Sequence, residues 1–276
     1  MKTIWAITKR ELRAVLRSPR YYILIAFYVF ALGYDFSVLF IGDGAVAIRQ
    51  MMRDIAFLVF FAAPLITAGS IAGERSSGEL RFLLSEPISE FQLVLGKALG
   101  GFLLLLPIGL SALVPVAAAK YYGDCALAPL LVAVLGLLLL ALMCGAAGLF
   151  SSSFANHAAS AAACSFGILF LMAFLGIQAA RSDGMATFLT GGSGPEALNP
   201  FSLADYLFRG VIDTRPLIFF PAATMLFLIL AVIVLRSRRW AYLDKEGPQG
   251  HERRSTRQTL VAFSLLGWGL PAIILF

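Results

Sequence analysis

Five stretches of this chain run for 18 to 24 residues without Asp, Glu, Lys or Arg: Ile55–Ala72, Leu99–Ala119, Leu127–Phe150, Ala158–Ala180 and Leu217–Leu235. A sixth, Tyr21–Ile41, is interrupted only by Asp35. A helix crossing the hydrocarbon core needs roughly 17–25 predominantly apolar residues. In lipid the backbone must satisfy its own hydrogen bonds, which a helix does within the segment. Strands would show apolar–polar alternation, and these runs do not. The chain has 276 residues, 59% of them hydrophobic and 14% charged, against about 45–50% and about 25% in soluble domains. With a mean hydropathy of +0.85 the apolar excess is too large for a globular core, which excludes a soluble enzyme and a disordered chain. The expected fold is an all-α integral membrane protein with six transmembrane helices, at about 21–41, 55–72, 99–119, 127–150, 158–180 and 217–235. Residues 260–276 form a further apolar segment of 17 residues. It is read as a seventh span, with a short interfacial helix or the start of a longer element as alternatives.

Lys and Arg placement sets the orientation. All 22 fall outside the six apolar runs. With the N-terminus inside, 16 lie on cytoplasmic segments and 6 on outside ones. The formal charge of +6 therefore reflects membrane orientation and does not call for nucleic acid. Residues 1–20 are too long and polar for the basic start of a secretory signal, and no small-residue cleavage site follows 21–41. The first span is read as a retained anchor.

Chemistry-bearing clusters are scarce. The three cysteines, Cys125, Cys144 and Cys164, lack metal-ligand spacing, and His157 and His251 stand apart. No metal centre or cofactor is expected. An intramembrane enzyme needs a nucleophile and base at membrane depth. The six runs contain no His, Lys or Glu, and Ser160 and Ser165 have no evident base. Asp35 is the one ionisable residue inside a run and is a functional candidate on that ground, since a mid-bilayer carboxylate costs about 2.5–3.5 kcal/mol on insertion scales. Its place near Gly42 and Asp43 also fits an ordinary interfacial carboxylate.

Residues 3–17 interleave Ile4, Trp5, Ile7, Leu12, Val15 and Leu16 with Lys9, Arg10, Arg13 and Arg17. That pattern predicts an amphipathic interfacial helix facing anionic lipid, ended by Ser18-Pro19. Between spans two and three, Ser76 with Glu79 has capping-box spacing. Leu80, Leu83 and Leu84 then share one helix face, and Pro87 stops the turn. Ser89 with Gln92 repeats the capping box and starts the helix running through Lys97 into span three. The short helix is too brief to be stable alone and needs a partner surface. At this point it either inserts into a cleft on a soluble partner or rests on lipid headgroups. Further along, Asn199–Arg209 reads as an aromatic amphipathic helix at the outer interface. The preceding Gly191-Gly192-Ser193-Gly194-Pro195 is a loop without the context of a phosphate cradle.

The run Gly73-Glu74-Arg75-Ser76-Ser77-Gly78-Glu79-Leu80, followed by Leu83-Leu84-Ser85-Glu86-Pro87-Ile88-Ser89 and Val94-Leu95-Gly96-Lys97, resembles the segment after the second span in ABC-2-type transporter permeases. Leu207–Arg215, leading into span six, and the closing Arg236-Ser237-Arg238-Arg239 are similar to the gliding-motility-type branch, as are Lys9-Arg10-Glu11-Leu12 and Ser18-Pro19. The resemblance covers residues 1 to about 240. It implies a multi-pass permease in the bacterial cytoplasmic (inner) membrane, N-terminus cytoplasmic. Two such chains, identical or not, would pair with two ATPase subunits to export a substrate. The chain has no G-x-x-x-x-G-K-[ST] motif, so ATP would be hydrolysed by the separate ABC ATPase subunit. Glu79–Ser85 would be the coupling helix docked on that ATPase, and 3–17 the amphipathic connecting helix. The coupling residues implied are Glu74, Arg75, Gly78, Glu79, Leu80, Leu83, Leu84 and Pro87.

The domain reading is then an amphipathic helix at 1–20, the permease domain at 21–240, a basic cytoplasmic linker at 241–259 and the extra membrane segment at 260–276. The linker with Arg253-Arg254-Ser255-Thr256-Arg257 and the apolar segment resemble the start of the membrane protein that accompanies gliding-type permeases, which implies a fused or truncated partner and a periplasmic partner protein. The competing functional class is a non-transporting scaffold that passes ATPase-driven movement to periplasmic partners.

Overall fold

Helical backbone follows directly from these apolar runs, and the helix ends follow from proline, glycine and capping side chains. The computed structural model of the chain describes residues 2–39, 44–79, 89–114, 117, 127–181 and 199–245. Among them the long elements are α1 (Lys2–Leu16), α2 (Pro19–Leu39), α3 (Gly44–Thr67), α4 (Gly69–Ser76), α5 (Glu90–Leu110), α6 (Leu127–Phe154), α7 (Ala158–Arg181), α8 (Pro200–Phe208) and α9 (Thr214–Lys245). No strand occurs among the described residues. Five described helices are long and apolar enough to cross a membrane, or six if α1 and α2, bent by 72°, count as one span. The segments 80–88 and 246–276, which hold most of the expected coupling helix, most of the basic linker and the expected seventh span, lie outside the described residues.

The helices run past the charge-free stretches. The helices of candidate spans Arg49–Ser76 and Glu90–Ser111 take in Arg53, Asp54, Glu74, Arg75 and Lys97, which lie outside the apolar runs. Hydrogen bonding along the backbone does not stop where the apolar run stops, and charges at the bundle ends pair with one another. The helix that carries the third apolar run begins at Glu90, ahead of that run. Ser89 caps α5 by accepting from the Gln92 N–H at 3.3 Å, as its spacing predicts. Pro107 sits in the last turn, and Ser111 ends the helix.

Helix α6 occupies the centre, packed by α3, α5, α7, α8 and α9. Two-thirds of its apolar window (67%) is buried, against 33% for α7 and for α9. This places α7 and α9 with broad faces to lipid, where Phe170, Phe174, Ile218, Met225 and Ile229 stand exposed. Phe60, Met52, Ile55, Leu137, Leu140, Met143, Phe150 and Phe220 are fully buried among the helices. Small residues let backbones approach where no hydrophobic force separates protein from lipid. An added Cβ at Gly148 would lie 3.0 Å from the Pro64 Cα, and one at Gly145 would lie 3.6 Å from Thr67 Cγ2. Helix α3 therefore crosses α6 over these two glycines. On the other flank, α2 is tied to α5 by two buried tyrosines. Tyr21 Oη donates to Leu104 O at 3.0 Å, and Tyr28 Oη to Ile108 O at 2.9 Å, a last-turn carbonyl with no helical partner.

Candidate functional site

Helix α1 lies against the start of α5, and two glycines four residues apart receive it. A Cβ at Gly96 would meet Ile7 Cβ at 2.9 Å, and one at Gly100 would meet Glu11 Cβ at 3.0 Å. The inward face of α1 holds Ile4, Ile7, Thr8, Glu11, Leu12 and Val15, partly or fully buried. Trp5 and Leu16 point away, 64% and 38% exposed. An interfacial helix of the expected kind would bury apolar residues alone. Instead Thr8, 1% exposed, and Glu11, 8% exposed, lie inside. Thr8 Oγ1 lies within bonding distance of Ile4 O at 2.9 Å and Gly96 O at 3.0 Å, stitching α1 to α5.

Glu11 faces Lys97, whose side chain is 1% exposed. The Lys97 Nζ lies 3.0 Å from Glu11 Oε2 and 2.9 Å from Glu74 Oε2, and donates to Ser70 O at 2.8 Å. Three helices thus meet on one ammonium: α1 through Glu11, α4 through Glu74 and Ser70, and α5 through Lys97. A buried cation costs several kcal/mol in desolvation unless it is paired and hydrogen-bonded; here Glu11 and Ser70 O accept its hydrogen bonds, and Glu74 adds a second ion pair. Arg10 extends the cluster outward, 3.7 Å from Glu74 and 2.8 Å from Glu79. Arg10 and Glu79 are more than half exposed, so that outer pair adds little energy of its own.

Helix α4 is separated from α3 by a turn at Ala68, four residues after Pro64. Its backbone N–H groups at Ile71 and Ala72 donate to Ser152 Oγ of α6, at 3.0 and 2.8 Å. First-turn donors have no partner within a helix, and the buried Ser152 hydroxyl supplies one. Arg75 reaches the same end of α6, donating to Ser153 O at 2.7 Å and also to Ala155 O. Gly78, at φ +81°, then ends α4. Its N–H donates to Arg75 O, and the Ser77 N–H to Gly73 O, both at 3.1 Å. This is a left-handed glycine cap, a conformation that costs other residues about 1–2 kcal/mol. Ser76, whose spacing predicts the cap of a following helix, stands before residues 80–88, which lie outside those described. It is the last residue of α4, and its hydroxyl donates back to Gly73 O at 2.8 Å.

Beside the cluster an apolar groove of about 260 Å³ runs between α3, α5, α6 and α9, walled by Ile66, Leu105, Leu142, Leu149 and Leu228, with Glu11 and Lys97 also on its lining.

The ABC-2 family transporter protein model matches residues 5–240. The chain belongs to the ABC-2 transporter family. As a family member it is a multi-pass transmembrane permease component of an ABC transporter, a kind of subunit that pairs with an ABC ATPase. No curated protein sequence gives a significant match.

The structure brings several of the expected residues of this permease together. Glu74 joins the buried cluster, Arg75 holds the end of α6, Gly78 turns the chain, and Glu79 pairs with Arg10. Leu80, Leu83, Leu84 and Pro87 lie outside the described residues. Asp35 stands apart from this site, in the last part of α2 and half-buried, with Asp54 of α3 as its charged neighbour. Lys97 and Glu11 are missed as site residues by sequence reasoning, although each stands in a quoted motif. The available signals are Glu11 on the inward face of α1, four residues after Ile7, and Lys97 between the close-packing glycines Gly96 and Gly100. Arg238 stands in the quoted Arg236-Ser237-Arg238-Arg239 run, whereas Ser152 carries no comparable local signal.

The opposite end of the bundle is built around α8. Asn199 caps it, accepting from the Phe201 N–H at 3.0 Å, and Leu203, Ala204, Leu207 and Phe208 are buried. Asp205 lies 2.7 Å from Arg209 and 3.7 Å from Arg53 of α3. Gly210, at φ +75°, turns the chain over Pro129.

Proposed function

We propose that this permease couples ATP hydrolysis by its ATPase partner to export, through the segment that follows Glu74. Met1 faces the cytoplasm in this reading, in a bacterial inner membrane, and the α1–α4 end of the bundle faces the ATPase. Glu79–Ser85 is the coupling helix, with Leu80, Leu83 and Leu84 as its docking face and Pro87 as its stop. The observation that supports this reading is the Glu11–Lys97–Glu74 cluster. It anchors the start of that segment to α1 and α5 by buried charges, so a push on the segment is passed to two helices and not absorbed by a loose loop. Residues 3–17 act as the connecting helix. ATP drives the cycle because nucleotide states of the ATPase bind the two permease arrangements with different affinity. A second permease chain, identical or not, completes the transporter. The gliding-type branch, with its periplasmic partner, is supported by the Leu207–Arg215 and Arg236–Arg239 motifs. The substrate is lipid-soluble in this reading, as suits a groove whose lining is apolar apart from a few polar residues and the charged pair Glu11 and Lys97.

The test is co-purification of the chain with the ATPase encoded beside it, followed by ATP hydrolysis rates in liposomes. Leu83→Asp and Leu84→Asp are each expected to abolish assembly. Assembly at wild-type levels in both sinks the docking claim. ATPase stimulation is then screened with lipids, glycans and peptides. Stimulation by a lipid supports export of that class, and stimulation by none favours the scaffold that moves periplasmic partners without a substrate.

A further inference from the structure

Helix α6 ends at Phe154, and α7 begins at Ala158. The last carbonyls of a helix have no partner within it, and the dipole makes that end attractive to cations. Here two guanidinium groups from different helices share the task. Arg75 of α4 donates to Ser153 O at 2.7 Å and to Ala155 O. Arg238 of α9 donates to Phe154 O at 2.6 Å, from a position 84 residues further along the chain. Three consecutive carbonyls, at 153, 154 and 155, are thus held alternately by α4 and α9. On the inner side Ser152 Oγ accepts from the Ile71 and Ala72 N–H groups. Ser151, Ser152 and Ser153 are all fully buried. Helix α4 packs on α6 and α7, and α9 packs on α6, so the end of α6 is the element they have in common.

We propose that Arg75 and Arg238 form a clamp on the end of α6, seated on Ser152, that makes the ends of α4, α6 and α9 move as one body. The clamp rests on the coupling reading above and gives it a transmission route. Force arriving through the coupling helix enters α4, and the clamp hands it to α6 at the bundle centre and to α9 at its edge. Charge-assisted bonds are roughly twice as strong as neutral ones, and the Arg75 fork spans two carbonyls at once, a geometry lysine does not reproduce. Both arginines are positioning residues, acting through the carbonyls of α6. The buried salt-bridge cluster on Lys97 ties α4 to α1 and α5 instead, so the two ties are separable by substitution.

The experiment uses the full permease–ATPase complex in lipid nanodiscs, with Cys125, Cys144 and Cys164 replaced by serine or alanine. Spin labels are placed at Ser77→Cys, just past α4, and Arg236→Cys, an exposed position on α9. Distances are measured by double electron–electron resonance without nucleotide and with ATP plus vanadate. The expected result is an unchanged 77-to-236 distance within the chain while the 77-to-77 distance between the two permease subunits shifts. Arg238→Gln should make the within-chain distance broaden and respond to nucleotide, and Arg238→Lys should restore part of the wild-type behaviour. A within-chain distance that changes with nucleotide while both clamp arginines are intact overturns the clamp while leaving coupling intact, and this arm needs neither arginine replaced. An unaltered within-chain distance in Arg238→Gln also overturns it. A between-subunit distance that ignores nucleotide refutes the coupling reading itself, and with it the clamp.

Discussion

Replacing Lys97 by methionine removes the charge at the centre of the buried cluster while keeping most of the side-chain volume. The Lys97 side chain is 1% exposed, and its partners Glu11 and Glu74 are 10% and 15% exposed. Without the ammonium, two carboxylates that lay 3.0 and 2.9 Å from it face each other with only Arg10 in reach, 3.7 Å from Glu74. Ser70 O also loses its 2.8 Å donor. Breaking a buried ion pair from one side costs about 3–5 kcal/mol, because it leaves an uncompensated charge. At about 1.4 kcal/mol per tenfold, the unfolding constant rises by roughly two to three and a half decades. The triple variant Lys97→Met/Glu11→Gln/Glu74→Gln removes all three charges and should regain part of that loss, since no carboxylate is then left buried without its counter-charge. The assay is reversible unfolding by SDS titration in mixed micelles, followed by far-ultraviolet circular dichroism. A Lys97→Met protein that unfolds at the wild-type SDS fraction refutes the reasoning. So does a triple variant no more stable than the single one, since packing and not charge would then carry the effect.

Three further outcomes follow from the geometry. Gly78→Ala meets no neighbouring atom within 4 Å but must hold φ +81°, so about 1–2 kcal/mol should be lost, seen as faster amide exchange over residues 74–79. Gly210→Ala pays a similar conformational cost and also places its Cβ 2.7 Å from the Pro129 Cα. It should lower the thermal midpoint in detergent more than Gly78→Ala does, and an equal or smaller drop contradicts the close contact. Tyr28→Phe deletes the hydroxyl that bonds Ile108 O at 2.9 Å and lies 2.9 Å from Ser111 Oγ. The expected loss is about 0.5–1.5 kcal/mol, measured by the same SDS titration.

Local signals in the chain were read correctly where one segment holds the whole cause. Ser89 caps α5 through a residue three places on, Pro19 starts α2 after a sharp bend, and Asn199-Pro200 starts α8. The apolar runs announce membrane helices because lipid tests each segment separately. A residue whose partners lie far along the chain gives no such signal. Lys97 looks like one more charge at a membrane boundary, because its distance from Glu11 in sequence, 86 residues, conceals that α1 folds onto α5.

The sequence by itself determined that this chain spans a membrane as helices and which family it resembles. Each rests on the order of residues within a few turns, which survives in any arrangement of the helices. Only the tertiary structure decided that Glu11, Glu74 and Lys97 meet, and that Arg75 and Arg238 hold alternate carbonyls, 153 to 155, at the end of α6. Those contacts depend on how helices from distant parts of the chain cross. The crossings are set by small residues such as Gly96, Gly100, Gly145 and Gly148 and by the need to pair every charge the fold takes out of water.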